Sequence, residues 1–326
     1  PEALIPLHRQ PWPGDAAGTA TASAAHGGRA AAREPSPPWM PFITHCLGRA
    51  PDGWVSFACP LRLADFPCFV DHAFALVHDY KPPAQCLATV PAAFALEMLA
   101  EAAAFLARGQ GLTGFRRVRA LKLLAFEDCD EIMLTLRVRP AETADGLTLV
   151  AGEIQRDGQS AFSAECLFGE RYRLTVTPRF ARPADDSPSP LRAPDIYTGG
   201  LLFHGPLLQS LCRMVTAGPE TFRAELRSLP ADGLFTRGSA PALLTDPVLL
   251  DGAWQAAGLH ASAVPPRLAL PMAMEAIEFY RPPPPPGRLL PVYGERTSFT
   301  PGKEMTYDLE IQDGDGHVWA RGRGWT

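Results

Sequence analysis

The chain has 326 residues, a formal net charge of −5 and a hydrophobic fraction of 46%, which provides enough apolar material for two medium domains or one double domain. No basic stripe stands out, so we expect no nucleic-acid partner. No apolar run approaches the roughly 20 residues that span a bilayer, so we expect no membrane segment. The N-terminus has no signal-peptide pattern and no initiating methionine, which suggests a piece excised from a longer chain.

The seven cysteines are scattered and form no CxxC pair. An odd number in a chain of this size is typical of reduced, mostly buried thiols, so we expect a cytoplasmic protein. Cys68, His72, His78 and Cys86 lie close together in the sequence. Their spacing matches no common zinc pattern, and we therefore expect no metal there.

Two segments have the composition of linkers. Residues 1–38 are rich in Ala, Gly, Pro and Ser, and a second stretch within 181–194 is rich in Pro, Ser and Asp. We therefore predict an N-terminal extension, then one half at 39–180, a linker at 181–194 and another half at 195–326.

The first half contains one strong helix pattern at residues 90–106, closed by Gly109. Pro91 suits the first turn of a helix, and Ala and Leu favour helix throughout. Only Glu97 and Glu101 interrupt the apolar surface, along one edge, so we expect other structure to wrap this helix. Strands are predicted, with a hairpin turn at Asp157 and Gly158, at 115–126, 131–138, 148–155 and 160–168.

The second half repeats this plan. Asp246 and Pro247 have the pattern of a helix start, a capping carboxylate followed by proline at the first helical position. Residues 313–316 (DGDG) indicate a hairpin turn, since the remaining ligands of a calcium loop are missing. Strands are predicted at 221–226, 275–280, 289–299, 305–311 and 318–323.

Asp251 lies about one turn inside the second helix, where apolar neighbours predict burial. Burying an ionised carboxylate is costly, and Gln255, four residues on, lies within reach on the same face. This placement favours a chemical role. The alternative is a second capping or turn carboxylate.

One long buried helix against one antiparallel sheet, occurring twice, resembles the hotdog fold doubled in one chain. The fold class predicted is therefore α+β, a double hotdog in which each half wraps an antiparallel sheet around one long helix.

Three motifs in order carry a more specific resemblance: residues 65–72 (DFPCFVDH), 202–209 (LFHGPLLQ) and 246–255 (DPVLLDGAWQ). Residues 270–282 and 307–317 also resemble segments of the same family. The chain resembles the dehydratase domain of a polyketide synthase or a polyunsaturated fatty acid synthase over about residues 40–326.

The resemblance implies that His72 and Asp251 face each other across one pocket. Such a domain removes water from a 3-hydroxyacyl chain on acyl carrier protein and leaves a 2-enoyl thioester. A neutral imidazole is a suitable base near neutral pH. The acid must keep its proton, and burial raises a carboxyl pKa in the required direction. No cofactor and no metal are implied.

The resemblance also assigns supporting roles. Gln255 would orient Asp251, and His204 occupies a position where the family often has tyrosine. Gly205 would shape the adjoining turn. The amides that follow Pro91 at the helix start could polarise the thioester carbonyl. The alternative for His204, and for His72, is a purely structural role in which the histidine forms a hydrogen bond with a nearby carbonyl group.

One departure from the family pattern follows His72. Leu76 stands where the family has glycine, and Pro91 lies far beyond the usual spacing, so residues 77–87 look inserted. An extra loop there would narrow the pocket, act as a lid or disable the site. His78 is an alternative counterpart of the family histidine. The approach to the motif at residues 69–72 favours His72.

Two other functions stay open from the sequence. One is a hotdog cyclase or thioesterase acting on a polyketone chain, and the other is a catalytically degenerate structural domain of a megasynthase. The partners implied by the resemblance are acyl carrier protein with a phosphopantetheine-linked substrate, neighbouring megasynthase domains and a second copy in a homodimer. No GxSxG elbow, P-loop or strand-led GxGxxG supports another chemistry.

Overall fold

The computed structural model describes most of the chain beyond the predicted N-terminal extension. Outside the described residues lie residues 1–39, His78, nearly all of the predicted insertion and the first part of the predicted linker. The described residues are 40–74, 86–141, 146–172, 176–180, 187–237, 241–263 and 270–326.

The first half wraps an antiparallel sheet around one long helix, as predicted. The helix begins at Ala92 and ends at Ala104, inside the predicted bounds. The strand expected at 115–126 begins earlier and ends at Ala120. The elements are β1 His45–Arg49, β2 Val55–Arg62, α1 Pro67–Val70, β3 Ala73–Phe74, β4 Leu87–Ala88, α2 Ala92–Ala104, β5 Gly111–Ala120, β6 Glu131–Pro140, β7 Thr148–Arg156 and β8 Gln159–Gly169.

The second half has the same plan, and its helix starts as the sequence predicts. Asp246 accepts a hydrogen bond from the backbone N–H of Leu249 at 2.9 Å, and Pro247 is the first helical residue. A short strand, β9, lies inside the predicted linker. The elements are β9 Ser187–Pro188, β10 Leu211–Ala217, β11 Thr221–Arg227, α3 Pro247–Ala261, β12 Ala273–Phe279, β13 Leu289–Thr300, β14 Glu304–Gln312 and β15 Val318–Trp325.

Strands of both halves join into one antiparallel sheet of 13 strands among the described residues, in the order β1-β2-β6-β7-β8-β5-β12-β15-β14-β13-β11-β10-β9. The halves meet where β5 pairs with β12. Gly114 lies at this junction, and a Cβ there would collide with the carbonyl oxygen of Ile277. Glycine therefore permits the two half-sheets to approach as one surface.

The sequence did not predict β1 and β2. Pro60 argues against a strand interior because proline cannot donate to the ladder. Val55, Phe57, Cys59 and Leu61 nevertheless alternate, and all four are buried. That alternation is the signal that identifies β2 in retrospect.

The core contains both long helices, which pack against each other. Residues Ala93 to Ala103 of α2 are all buried, including Glu97 and Glu101, which have no exposed surface. The prediction that other structure wraps this helix is confirmed, and the two glutamates lie inside the wrapping. Burial raises the pKa of both carboxyl groups.

Glu97 links the two halves. Its carboxylate accepts hydrogen bonds from the backbone N–H groups of Leu244 and Thr245 at 2.6 and 2.8 Å, and from the Thr245 hydroxyl at 2.5 Å. These residues immediately precede α3. The carboxylate therefore fixes the start of α3 against the middle of α2.

Replacing Glu97 with alanine should destabilise the fold strongly. The substitution leaves two N–H groups, one buried and one partly buried, and a buried hydroxyl without their acceptor, at a cost of about 3 kcal/mol. Urea unfolding measures the loss. The matched control is Glu131→Ala, which removes an exposed pair with Arg62 and should cost less than about 1 kcal/mol. Equal losses in the two variants would contradict the account.

Candidate active site

A cavity of about 270 Å³ lies between the two halves and is lined mainly by apolar side chains. His72 comes to it from the first half, and His204, Asp251 and Gln255 come from the second. Apolar lining residues include Phe74, Val90, Leu124, Phe162, Leu202 and Trp254. The structure therefore brings the predicted polar residues together in an environment that suits an acyl chain.

His72 follows α1 and is held by Thr89. Its Nδ1 lies 2.8 Å from the Thr89 hydroxyl oxygen and 3.1 Å from the Thr89 carbonyl oxygen. The Thr89 hydroxyl donates its own proton to the His72 carbonyl, so both Thr89 oxygens act as acceptors toward Nδ1. Nδ1 must therefore carry the ring proton. Nε2 of the neutral ring is then a free base. Burial lowers the pKa of His72 to about 4, against the raising effect of the Thr89 bond.

Asp251 is held by Gln255, as the four-residue spacing predicts. Gln255 Nε2 donates to Asp251 Oδ2 at 2.8 Å and to the Leu208 carbonyl at 2.9 Å. Burial raises the pKa of Asp251 to about 7, while the Gln255 bond opposes that rise. The carboxyl group therefore holds its proton to near neutrality, as a general acid requires.

Tyr197 fixes the Gln255 amide, and the sequence did not reveal it. Its hydroxyl donates to Gln255 Oε1 at 2.6 Å, which turns the amide nitrogen toward Asp251. The backbone N–H of Leu211 in turn donates to the Tyr197 hydroxyl at 3.2 Å. Tyr197 lies 58 residues from Gln255, so no local spacing signals this contact.

His204 completes the polar group. Its Nε2 lies 3.5 Å from Asp251 Oδ2, and its ring centre lies 5.2 Å from that of His72. The ring stacks on Phe203, with ring centres 4.3 Å apart. Burial, and secondarily His72, lower the pKa of His204 well below its usual value. Both imidazoles are thus neutral near pH 7.

Asp71 joins the first motif to the second, and it too was missed. Its carbonyl accepts from the N–H of Gly205 at 2.7 Å, and its carboxylate accepts from the N–H of Leu207 at 2.7 Å. A Cβ at Gly205 would collide with the Asp71 carboxyl group. Glycine at 205 therefore provides room for the contact that sets His72 beside His204.

The helix carrying Asp251 lies close to the second motif for a similar reason. A Cβ at Gly252 would collide with the Ser210 hydroxyl, which donates to the Val248 carbonyl at 3.2 Å. Together with the bond from Gln255 to Leu208, this contact seats α3 against residues 208–210.

Pro91 precedes α2 by one position and does not itself line the cavity, whereas Ala92 does. The Pro91 carbonyl accepts from the N–H groups of Phe94 and Ala95. The N–H groups of Ala92 and Ala93 therefore precede the first helical hydrogen bond.

The chain before the predicted insertion pairs with the chain at its end, beside His72. β3 and β4 form a two-residue antiparallel ladder, and the Thr89 N–H donates to the His72 carbonyl at 3.0 Å. His78, the alternative histidine, lies outside the described residues. Cys68 is buried in the hydrophobic core, and the described ligand-type groups around His72 are His204 and Asp251.

The comparisons bear out the predicted resemblance. Residues 177–326, which include His204, Gly205, Asp251 and Gln255, match the family model described as the polyketide synthase dehydratase N-terminal domain. No curated protein matches the chain. In the described residues, no helix is long and apolar enough to cross a membrane.

Solved domains of this kind share the fold over most of the chain. The domain from the CurJ module of curacin polyketide synthase is 14% identical, with a TM-score of 0.61 over 88% of this chain and 95% of that one. The domain of RzxB from Pseudomonas fluorescens is 16% identical, with a TM-score of 0.61 over 88% and 98%. A pyran synthase domain from module nine of the sorangicin pathway is 19% identical, with a TM-score of 0.58 over 88% and 98%.

These matches establish the fold as the double hotdog of polyketide synthase dehydratase domains, as predicted from the sequence. The predicted domain boundaries stay a prediction. Arg179, placed at the end of the first half, pairs with Asp308 and Glu295 of the second.

Proposed function

We propose that this chain is a dehydratase that eliminates water from a 3-hydroxyacyl thioester carried on acyl carrier protein and leaves a 2-enoyl thioester. The observation that carries the proposal is a buried imidazole and a buried carboxyl group facing one apolar cavity, with pKa values shifted in opposite directions. A neutral base beside a protonated acid is the arrangement that an elimination at neutral pH requires.

His72 is the proposed base. Its Nδ1 proton is donated to Thr89, so Nε2 carries the lone pair of the neutral ring. That lone pair can remove the proton from the carbon next to the thioester carbonyl. The Ala92 and Ala93 N–H groups at the start of α2 are suited to stabilise the charge that develops on the carbonyl oxygen, because they lack helical partners.

Asp251 is the proposed acid. It gives its proton to the departing hydroxyl, so that the carbon–oxygen bond breaks as the carbon–carbon double bond forms and water leaves. Gln255 holds the carboxyl group in place, and Tyr197 holds Gln255. His204 lies near enough to Asp251 to bond the leaving hydroxyl or the acid itself.

Carrier-protein delivery is supported by the edge of the cavity. Leu121, Leu123 and Met272 line the cavity and are more than half exposed, so they mark its opening to solvent. Lys122 stands among them and is the one Lys or Arg that lines the described cavity. We assign it to the phosphate of a phosphopantetheine arm, whose thioester would then reach inward.

The direct test incubates the chain with a 3-hydroxyacyl thioester and follows the loss of water by mass. We expect turnover in the wild type, and a drop in kcat/KM of about 10²- to 10⁴-fold in His72→Phe and Asp251→Asn, because each removes a proton-transfer group. His45→Phe and Asp315→Asn are matched controls at sites away from the cavity and should keep the wild-type rate.

Other outcomes would overturn the proposal. A poly-β-keto thioester that is cyclised or hydrolysed, with no enoyl product from the 3-hydroxyacyl substrate, would favour a cyclase or thioesterase. A pyran synthase domain has the same fold, so the fold by itself leaves this rival open. A folded chain that turns over no thioester of any length would favour a structural domain.

Carrier recognition has its own test. Lys122→Glu should raise KM about tenfold for a substrate on acyl carrier protein, because the phosphate then meets a like charge. The rise should be absent for the N-acetylcysteamine thioester, which has no phosphate. Arg49→Glu on β1 makes the same charge change far from the cavity and serves as the control. An equal rise in KM for both substrates would contradict the assignment.

A further inference from the structure

The polar group in the cavity has the composition of a metal site. His72, His204 and Asp251 each offer one ligand atom, and these atoms lie within 4.8 Å of one another. Two imidazoles and one carboxylate are a donor set that Zn²⁺ accepts, with a fourth position left open. We propose that these three side chains bind a divalent transition-metal ion such as Zn²⁺, with its open position facing the cavity.

The separation of two of the ligands already suits a metal. At metal–ligand distances of about 2.0–2.1 Å, tetrahedral ligand atoms lie about 3.4 Å apart. His204 Nε2 and Asp251 Oδ2 are 3.5 Å apart. The third ligand atom, from His72, lies within 4.8 Å of the other two.

Neighbouring groups orient two of the ligands as metal ligands are usually oriented. The Nδ1 proton of His72 is donated to Thr89, which fixes the tautomer and leaves Nε2 as the coordinating atom. Gln255 donates to Asp251 Oδ2 and holds the carboxylate. The Thr89 contact raises the basicity of the His72 ligand atom, and both contacts reduce the cost of ordering the ligands.

His204 gives the independent sign of a missing partner. The side chain is only 7% exposed, and its Nδ1 is buried with no hydrogen-bond partner in the described structure. A neutral ring has one donor nitrogen and one acceptor nitrogen. Whichever nitrogen carries the proton, the 3.5 Å contact with Asp251 satisfies at most one of them. A cation coordinated at Nε2 would take the place of this long contact, with the ring proton on Nδ1.

Metal binding by these residues is a property separate from the proposed dehydration, and it would block that reaction. A metal on His72 and Asp251 occupies the base and the acid together. Zn²⁺ should therefore inhibit dehydration, and a chelator should restore it. Metal binding is measured without substrate, so a failure of either proposal leaves the other testable.

The binding test uses Co²⁺ as a spectroscopic substitute for zinc. The wild type should bind one equivalent with the visible absorption of a tetrahedral site and without the charge-transfer band of a thiolate ligand. His204→Phe should weaken binding by at least about 100-fold, since even outer-contact losses cost about 10- to 100-fold. His317→Ala is the matched control, because Asp313, Asp315 and His317 form the other described ligand-type cluster.

Loss of Co²⁺ binding in His317→Ala and its retention in a folded His204→Phe would overturn the proposal. A second measurement needs no variant: zinc X-ray absorption on the wild type should show two imidazoles and no sulfur in the coordination shell. One imidazole, or any sulfur, would place the metal elsewhere and overturn the proposal even if His204→Phe fails to fold.

Discussion

The site depends on a buried carboxylate that is not part of it. Glu97 of α2 accepts three hydrogen bonds from Leu244 and Thr245, directly before α3. A carboxylate is costly to bury, and these bonds offset that cost only when α3 begins at this place. The contact therefore sets the helix of one half against the helix of the other, and with it the position of Asp251.

A second link between the halves sets the histidines. Asp71 bonds the backbone of Gly205 and Leu207, so the residue next to His72 holds the segment that contains His204. Glycine at 205 leaves the necessary room. His72 and Asp251 come from different halves, and two polar contacts between a carboxylate and the backbone, one buried and one partly buried, bring them to one cavity.

Burial then gives the two groups their proposed division of labour. The cavity disfavours charge on either side chain, so it lowers the pKa of His72 and raises that of Asp251. The same desolvation makes one group a neutral base and the other a protonated acid. The pair also has the donor set of a metal site once His204 joins it, which makes Zn²⁺ a natural competitor for the same atoms.

The sequence predicted the features that depend on residues close together in the chain. Capping by Asp246, the contact of Gln255 with Asp251 and the helix at Ala92–Ala104 follow from spacing and propensity. The long-range partners of Glu97, Tyr197 and Asp71 lie 58 to 148 residues away in the chain, and no periodicity encodes them. Strand β2 was not predicted because Pro60 usually argues against a strand interior. In the structure, burial of the alternating apolar face stabilises the strand despite the proline.

The most direct test of the central claim is the pH dependence of kcat/KM for dehydration of a simple 3-hydroxyacyl thioester, because this ratio reports the free enzyme. We expect a flat profile from about pH 5 to 6.5, since His72 stays neutral above about 4, and a decline above about pH 7 as Asp251 loses its proton. A rate that falls below pH 6.5, as an ordinary imidazole takes up a proton, and keeps rising above pH 7 would contradict the account.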